Sequence, residues 1–221
     1  MKEIPILMST PNIQPILAER KTETRRIIKP QPFLNRAFSS EEPKCKEWFS
    51  INGSHNDSPE KWIKFCPYGS VGDVLWVKEM HYAYGMWLKN GLSKSGKQKW
   101  WFVDTTITGF EYRYFDNPPE NVLRNTVRET YGWFKRSSLF MPKSACRIRL
   151  EVTDISVERL HDITEEGARA EGVTNADSFK GIGVDESMAN RYAYRELWES
   201  INGKGSWIKN DWVWVIKFIK L

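Results

Sequence analysis

The 221-residue sequence predicts an α+β protein, on three observations. Short β-rich runs stand near its start, middle and end, helical segments with start and stop signals lie between them, and no internal repeat organises either kind. Residues 4–9 make the first predicted strand. Thr10-Pro11 then supply an N-cap and first-turn pair for a helix to about residue 19, with Ile13, Ile16 and Leu17 on one face. Ile27-Ile28 continue a strand-like run until Pro30-Gln31-Pro32 stops it, because proline lacks a backbone donor and restricts the residue before it. Gly72-Asp73 is a turn signal that opens a strand over 74–79.

Residues 145–160 alternate Ile148, Leu150 and Val152 with Arg147, Arg149 and Glu151, the period of a half-buried strand, with a bend near Thr153-Asp154. Asp162 is placed to cap a helix over 163–171, in which Glu165 and Glu166 complement the helix dipole and after which Gly172 stops the chain. A second helix is predicted over 186–201, ended by Asn202-Gly203. The last strand covers 212–218, its Trp212, Trp214, Ile216 and Phe218 assigned to the core. The length suffices for one elaborated domain over 1–221 with a genuine core. Two stretches depart from this pattern and read as insertions: about 31–72, loops with a short hairpin, and about 84–143, hairpins carrying Trp100-Trp101-Phe102-Val103 and Glu111-Tyr112-Arg113-Tyr114.

Lys and Arg exceed Asp and Glu by 33 to 28, so the chain favours anionic partners, nucleosides and RNA among them. Eleven Trp, 11 Phe and 8 Tyr exclude a disordered chain and predict aromatic-rich surfaces or pockets. No run approaches the roughly 20 apolar residues of a membrane span, and no signal-peptide h-region precedes the three scattered cysteines, which predicts a reducing cytoplasm and no membrane role. Cys45, His55, Cys66 and Cys146 lack the short spacing of zinc ligands, His81 and His161 show no nucleophile partner, and neither a Walker loop nor Gly-x-Gly-x-x-Gly occurs, so no metal or cofactor is predicted.

The chemistry concentrates at Arg20-Lys21-Thr22-Glu23-Thr24-Arg25-Arg26, where phosphate-binding charge surrounds a hydroxyl held near an amine. Such a cluster also suits a solvated basic face. Trp76 offers a ring for stacking a base or for the core, and Glu79 a carboxylate for a base edge, for Arg26 or for a strand-end ion pair.

In order along the chain, the strand, helix, basic cluster, Gly72-Asp73-Val74-Leu75-Trp76-Val77 strand, Glu-rich short helix and closing Trp-x-Val-x-x-Phe strand resemble the ASCH domain, a branch of the PUA-like superfamily. The matching blocks cover roughly half of the chain and leave the two insertions outside. Cys66-Pro67-Tyr68-Gly69 and Trp198-Glu199-Ser200-Ile201-Asn202-Gly203 look like a longer subgroup common in bacteriophages and prophages. The resemblance implies a small β-barrel with flanking helices, a cleft beside the first helix, and binding of RNA or nucleosides. A small bacterial member similar to this core deacetylates acetylated cytidine with a Lys, a Thr three residues later and a Glu in the later short helix, positions that fall here on Lys21, Thr24 and Glu171. Glu19 departs from the family, which usually has Gly before Arg-Lys-Thr. The resemblance therefore implies amide hydrolysis with Thr24 as nucleophile, Lys21 as base and Glu171 as proton shuttle, beside nucleoside- or RNA-binding residues Arg20, Arg25, Arg26, Trp76 and Glu79. The alternatives are a noncatalytic RNA or modified-base reader, which on long single-stranded RNA would also use Lys94, Lys97 and Lys99, and a protein-interaction module.

Overall fold

A computed structural model describes residues 1–37, 46–51, 54–56, 59–106, 109–173 and 186–221. Its elements run β1 (Glu3–Leu7), α1 (Thr10–Leu17), β2 (Glu23–Ile27), β3 (Phe33–Ala37), β4 (Lys46–Ile51), β5 (Ser54–Asn56), β6 (Val74–Lys78), β7 (His81–Leu92), β8 (Gln98–Val103), β9 (Thr105–Thr106), β10 (Gly109–Phe110), β11 (Tyr112–Tyr114), β12 (Val122–Leu123), β13 (Gly132–Arg136), β14 (Arg149–Arg159), α2 (Glu165–Ala170), α3 (Ala189–Asn202) and β15 (Trp212–Lys220). This is a mixed α+β architecture, and it divides into two compact units: Met1–Ile6, Pro11–Trp76 and Ile148–Leu221 form the first, Leu7–Thr10 and Val77–Arg147 the second.

The first unit is organised by a sheet of order β1-β6-β14-β15-β2, an open path in which β14 runs antiparallel to both β6 and β15, and β15 antiparallel to β2. No closed barrel is found among the described residues. The expected bend in β14 is a register shift between Val152 and Asp154. β15 departs from simple alternation: Val213, Trp214, Val215 and Ile216 are all buried, because the strand is interior to the sheet and has both faces covered. One of those faces, with Val213 and Val215, packs on Leu160, Ile163, Ala168, Tyr194 and Trp198, and so carries α2 and α3. The stretch expected to hold one short hairpin forms the three-stranded antiparallel β3-β4-β5 and a 3-10 helix over Pro59–Phe65. Cys45 lies outside the described residues.

Two helix boundaries differ from those the sequence suggests. α2 starts at Glu165 because Thr164, in extended backbone, accepts the Gly167 N–H at 3.0 Å, while Asp162 ends a separate 3-10 turn. α3 is preceded by a short 3-10 turn, Glu186–Met188. The Gly72-Asp73 signal is structural. The Asp73 carboxylate accepts the Lys2 N–H at 2.6 Å and the Ser70 N–H at 3.1 Å, which ties the turn before β6 to the start of β1.

The second unit is built on β11-β7-β13-β12, with β8 paired to β7. Its longest strand, β7, turns His81, Ala83 and Gly85 inward and leaves Tyr82, Tyr84 and Met86 half-buried. No helix of the described chain is long and apolar enough to cross a membrane.

The two backbone N–H groups, that of Lys2 first, hold the Asp73 carboxyl below its ordinary pKa. A group lowered in the folded state contributes stability that is present above its unfolded value and is lost as pH falls through the lowered one. Asp73→Asn is accordingly expected to reduce stability at pH 7 and to flatten its decline with acid. Urea midpoints measured for both proteins from pH 7 to pH 3 check this, and parallel acid limbs would refute it.

Candidate functional site

The site starts from an edge. β2 is the last strand of its sheet, so the backbone groups on its outer side need partners from elsewhere. The end of α2 supplies them: the Thr22 N–H donates to the Ala170 carbonyl at 2.8 Å, and the Arg25 N–H donates to Glu171 Oε1 at 2.6 Å. Glu171 is the C-cap residue of α2 and is 3 % exposed. Its carboxylate also takes the Lys21 ammonium on Oε2 and the Tyr194 hydroxyl on Oε1 at 3.2 Å, and Lys21 Nζ donates again to the Glu171 carbonyl at 2.9 Å. Three stretches of chain, 21–25, the end of α2 and α3, therefore meet at one buried carboxylate.

Local structure explains how Lys21 arrives there. α1 closes with a Glu19 N–H to Ile16 carbonyl bond and an Arg20 N–H to Pro15 carbonyl bond, the two bonds of a Schellman motif, with Glu19 at φ 57° in the left-handed position that glycine prefers. The turn delivers Lys21 directly into β2. From the other side, Gly172 at φ 81° ends α2, and a Cβ there would lie 2.5 Å from Pro15 Cβ and 2.8 Å from Lys21 Cβ. Only a glycine lets the end of α2 approach Lys21 this closely.

Charge in the cluster is dense and mostly buried. Burial pushes the Lys21 amine below its usual pKa, opposed by Glu171. Burial alone would depress the Arg25 guanidinium too, but Glu171, Glu158 and Glu23 together raise it; its Nε donates to Glu158 at 2.7 Å and its NH1 to Glu23 at 2.5 Å. Burial, then the Glu171 charge, holds the Tyr194 phenol protonated well above its ordinary value. Removing either partner of Lys21 and Glu171 would strand a buried charge, at about 3–5 kcal/mol.

Beside this cluster opens a cavity of about 440 Å³, within the range of small-ligand sites. Thr24 and Arg26, two apart on β2, face it along with Trp214, which is paired with Arg26 in register. Glu171, Tyr194 and Tyr68 complete the part of the wall that bears on chemistry. Thr24 is buried and lines the cavity; among the described residues no hydrogen bond joins it to Lys21, whose ammonium turns to Glu171.

The expected site residues thus separate into two groups. Lys21, Thr24, Arg25, Arg26 and Glu171 come together at the β2 edge. Arg20 is exposed in the turn after α1, Trp76 is half-buried on β6 opposite Arg149, and neither lines the cavity. Glu79 does not engage Arg26: its carboxylate is bound twice by Arg147, at 2.8 and 3.0 Å, because the chain before β14 brings that guanidinium back to the end of β6. Tyr194, Tyr68 and Trp214 were not assigned ligand roles from sequence. Tyr68 does lie in the Cys66-Pro67-Tyr68-Gly69 motif, whereas Tyr194 carries no local signal and reaches Glu171 only through the packing of α3 on α2. Among the described residues no group of three His, Cys, Asp or Glu is arranged to hold a metal ion. Comparison with family models, curated proteins and solved structures found no match.

Gly172→Ala is expected to destabilise the protein by about 2–4 kcal/mol, combining left-handed strain with the overlap on Pro15 and Lys21. Denaturant unfolding measures it, and a loss below about 0.5 kcal/mol would contradict the packing described. Glu19→Gly should act in the opposite sense. It relieves the left-handed strain while removing only an exposed ion pair to Lys220, for a gain of about 1 kcal/mol, or roughly 2–4 °C in Tm by calorimetry.

Proposed function

We propose that the cavity at the β2 edge binds a nucleoside and hydrolyses an acyl-amide on its modified pyrimidine, in the manner of the acetylcytidine amidohydrolase that the basic motif resembles. The observation that carries this reading is the placing of Thr24 and Glu171 on one cavity wall, with the Lys21 amine, its proton loosened by burial, hydrogen-bonded behind Glu171. A threonine hydroxyl is a weak nucleophile unless a base takes its proton, and a lysine serves only when neutral. Burial supplies that tendency here.

In this reading the Thr24 hydroxyl attacks the acyl carbonyl carbon and its proton passes to the neutral Lys21 amine. The carbonyl–nitrogen bond then breaks, Glu171 relays a proton to the departing pyrimidine amine, and water hydrolyses the threonyl ester to release a carboxylic acid and regenerate Thr24. Lys21 donates to Glu171, so the reaction requires its amine to turn toward Thr24; catalytic hydrogen bonds often align only in the complex. Arg26 supplies positive charge at the wall, and Trp214 and Tyr68 supply aromatic surface for the base. The same reading makes the open sheet the core of a PUA-like β-barrel, a nucleoside or single-stranded RNA the partner, the cytoplasm the location and a bacteriophage or prophage the setting.

A noncatalytic modified-base reader is favoured by one observation, the commitment of both Lys21 donor contacts to Glu171 in place of Thr24. Chromatography of acetylated cytidine and related acylated nucleosides after incubation with the protein separates the two. Turnover should occur, disappear in Lys21→Ala and Thr24→Ala proteins that remain folded by circular dichroism, and rise with pH through a value below the ordinary lysine range. No turnover with nucleoside binding retained would establish the reader instead.

A further inference from the structure

The positive charge of this chain is not evenly distributed. Val77–Arg147 carries 12 Lys and Arg against 6 Asp and Glu, a net +6, while the whole chain is +5; everything outside that segment therefore sums to −1. The same unit carries a sheet face of unusual composition, on which Arg113 and Lys135 are two of these cations. Antiparallel register sets Arg113 of β11, Tyr82 of β7 and Lys135 of β13 in one row across three strands. The next row pairs Tyr84 with Trp133, and alternation keeps both on the same face as Tyr82 and Lys135.

All of these side chains are at least partly open to solvent. Tyr131 stacks on Tyr84 with ring centroids 6.4 Å apart and is itself 51 % exposed, and the Arg113 guanidinium lies 5.2 Å from the Trp133 ring. Among the described residues the hydroxyls of Tyr82, Tyr84 and Tyr131 make no hydrogen bond, nor does the Lys135 ammonium meet a carboxylate. A monomer gains little by leaving a row of aromatic rings, free phenols and a free cation on one sheet face.

We propose that this face of the second unit is a binding platform for single-stranded RNA. Unstacked bases lie on Tyr84, Trp133 and Tyr131, and phosphates meet Arg113 and Lys135, the combination of stacking surface and backbone charge that single strands require. The free phenols favour RNA over DNA because each can donate to or accept from a ribose 2′-hydroxyl, which DNA lacks. The platform stands independently of the chemistry proposed at the β2 edge.

Fluorescence anisotropy of the full chain with a labelled 12-nucleotide uridine oligomer, and with its deoxy counterpart, tests this at several salt concentrations. Binding to RNA is expected, weakening as salt rises. Tyr84→Ala should weaken it about 10-fold in protein that remains folded by circular dichroism, since stacking one base is worth that order. Lys135→Ala, at an exposed position, should weaken binding uniformly across sequences and reduce the log–log salt slope by about one. Absence of binding, equal affinity for the deoxy oligomer, or RNA affinity unchanged in both variants would overturn the proposal. The assay contains no acylated nucleoside, so its outcome is separate from turnover.

Discussion

The structure of the first unit depends on satisfying one buried carboxylate at the junction of a sheet edge and two helices. Glu171 is held by the Lys21 ammonium, the Arg25 backbone N–H and the Tyr194 hydroxyl, and through them it joins α2 to the turn after α1, to the edge of β2 and to α3. An ion in a dry interior is tolerated only when donors replace its hydration nearly one for one. That requirement dictates the surrounding structure: a left-handed residue to turn α1 into Lys21, a glycine to let α2 approach, and a phenol held protonated.

An apolar replacement of similar shape could hold these elements together as well or better, since buried ion pairs seldom contribute more than the desolvation they incur. The use of charged groups here is therefore better explained by the cavity they adjoin. Glu171 and Tyr194 face it together with Thr24, and Lys21 stands one bond behind. Burial moves Lys21 toward its neutral form while the Glu171 charge opposes it. Arg25, held by Glu158 and Glu23, keeps the excess of negative charge in the cluster balanced.

The second unit follows a different principle. Among its described residues there is no comparable hub of buried charge; the strongly buried carboxylate there, Glu79, is neutralised by Arg147, whose guanidinium also lies 4.0 Å from the Tyr114 ring. Arginine and aromatic rings recur together elsewhere in it, as where Arg136 lies 4.7 Å from Trp87 and 4.4 Å from Phe102. A planar cation that is weakly hydrated packs against such rings at modest desolvation cost, which lets a strongly basic segment still build a core.

Much of the local structure was legible in the sequence because its signals are local. Caps, glycine stops and strand periodicity act over a few residues, and α1, α3, β6, β14 and β15 lie within a few residues of where those signals put them. β7 was not legible: its inward positions are His81, Ala83 and Gly85, so the apolar alternation that marks a strand is missing on the side that is buried. The start of α2 was misplaced because Asp162 and Thr164 are both competent caps and only the backbone angles of Thr164 choose between them. For the site, the sequence by itself determined its ingredients, an amine, a hydroxyl and two guanidiniums crowded on one short segment. Tertiary structure alone decided what they touch. Glu171 lies 150 residues from Lys21, Tyr194 a further 23 along, and Glu79 meets Arg147 in place of Arg26, because hydrogen-bond partners across such separations are set by how strands and helices pack and leave no trace in local pattern.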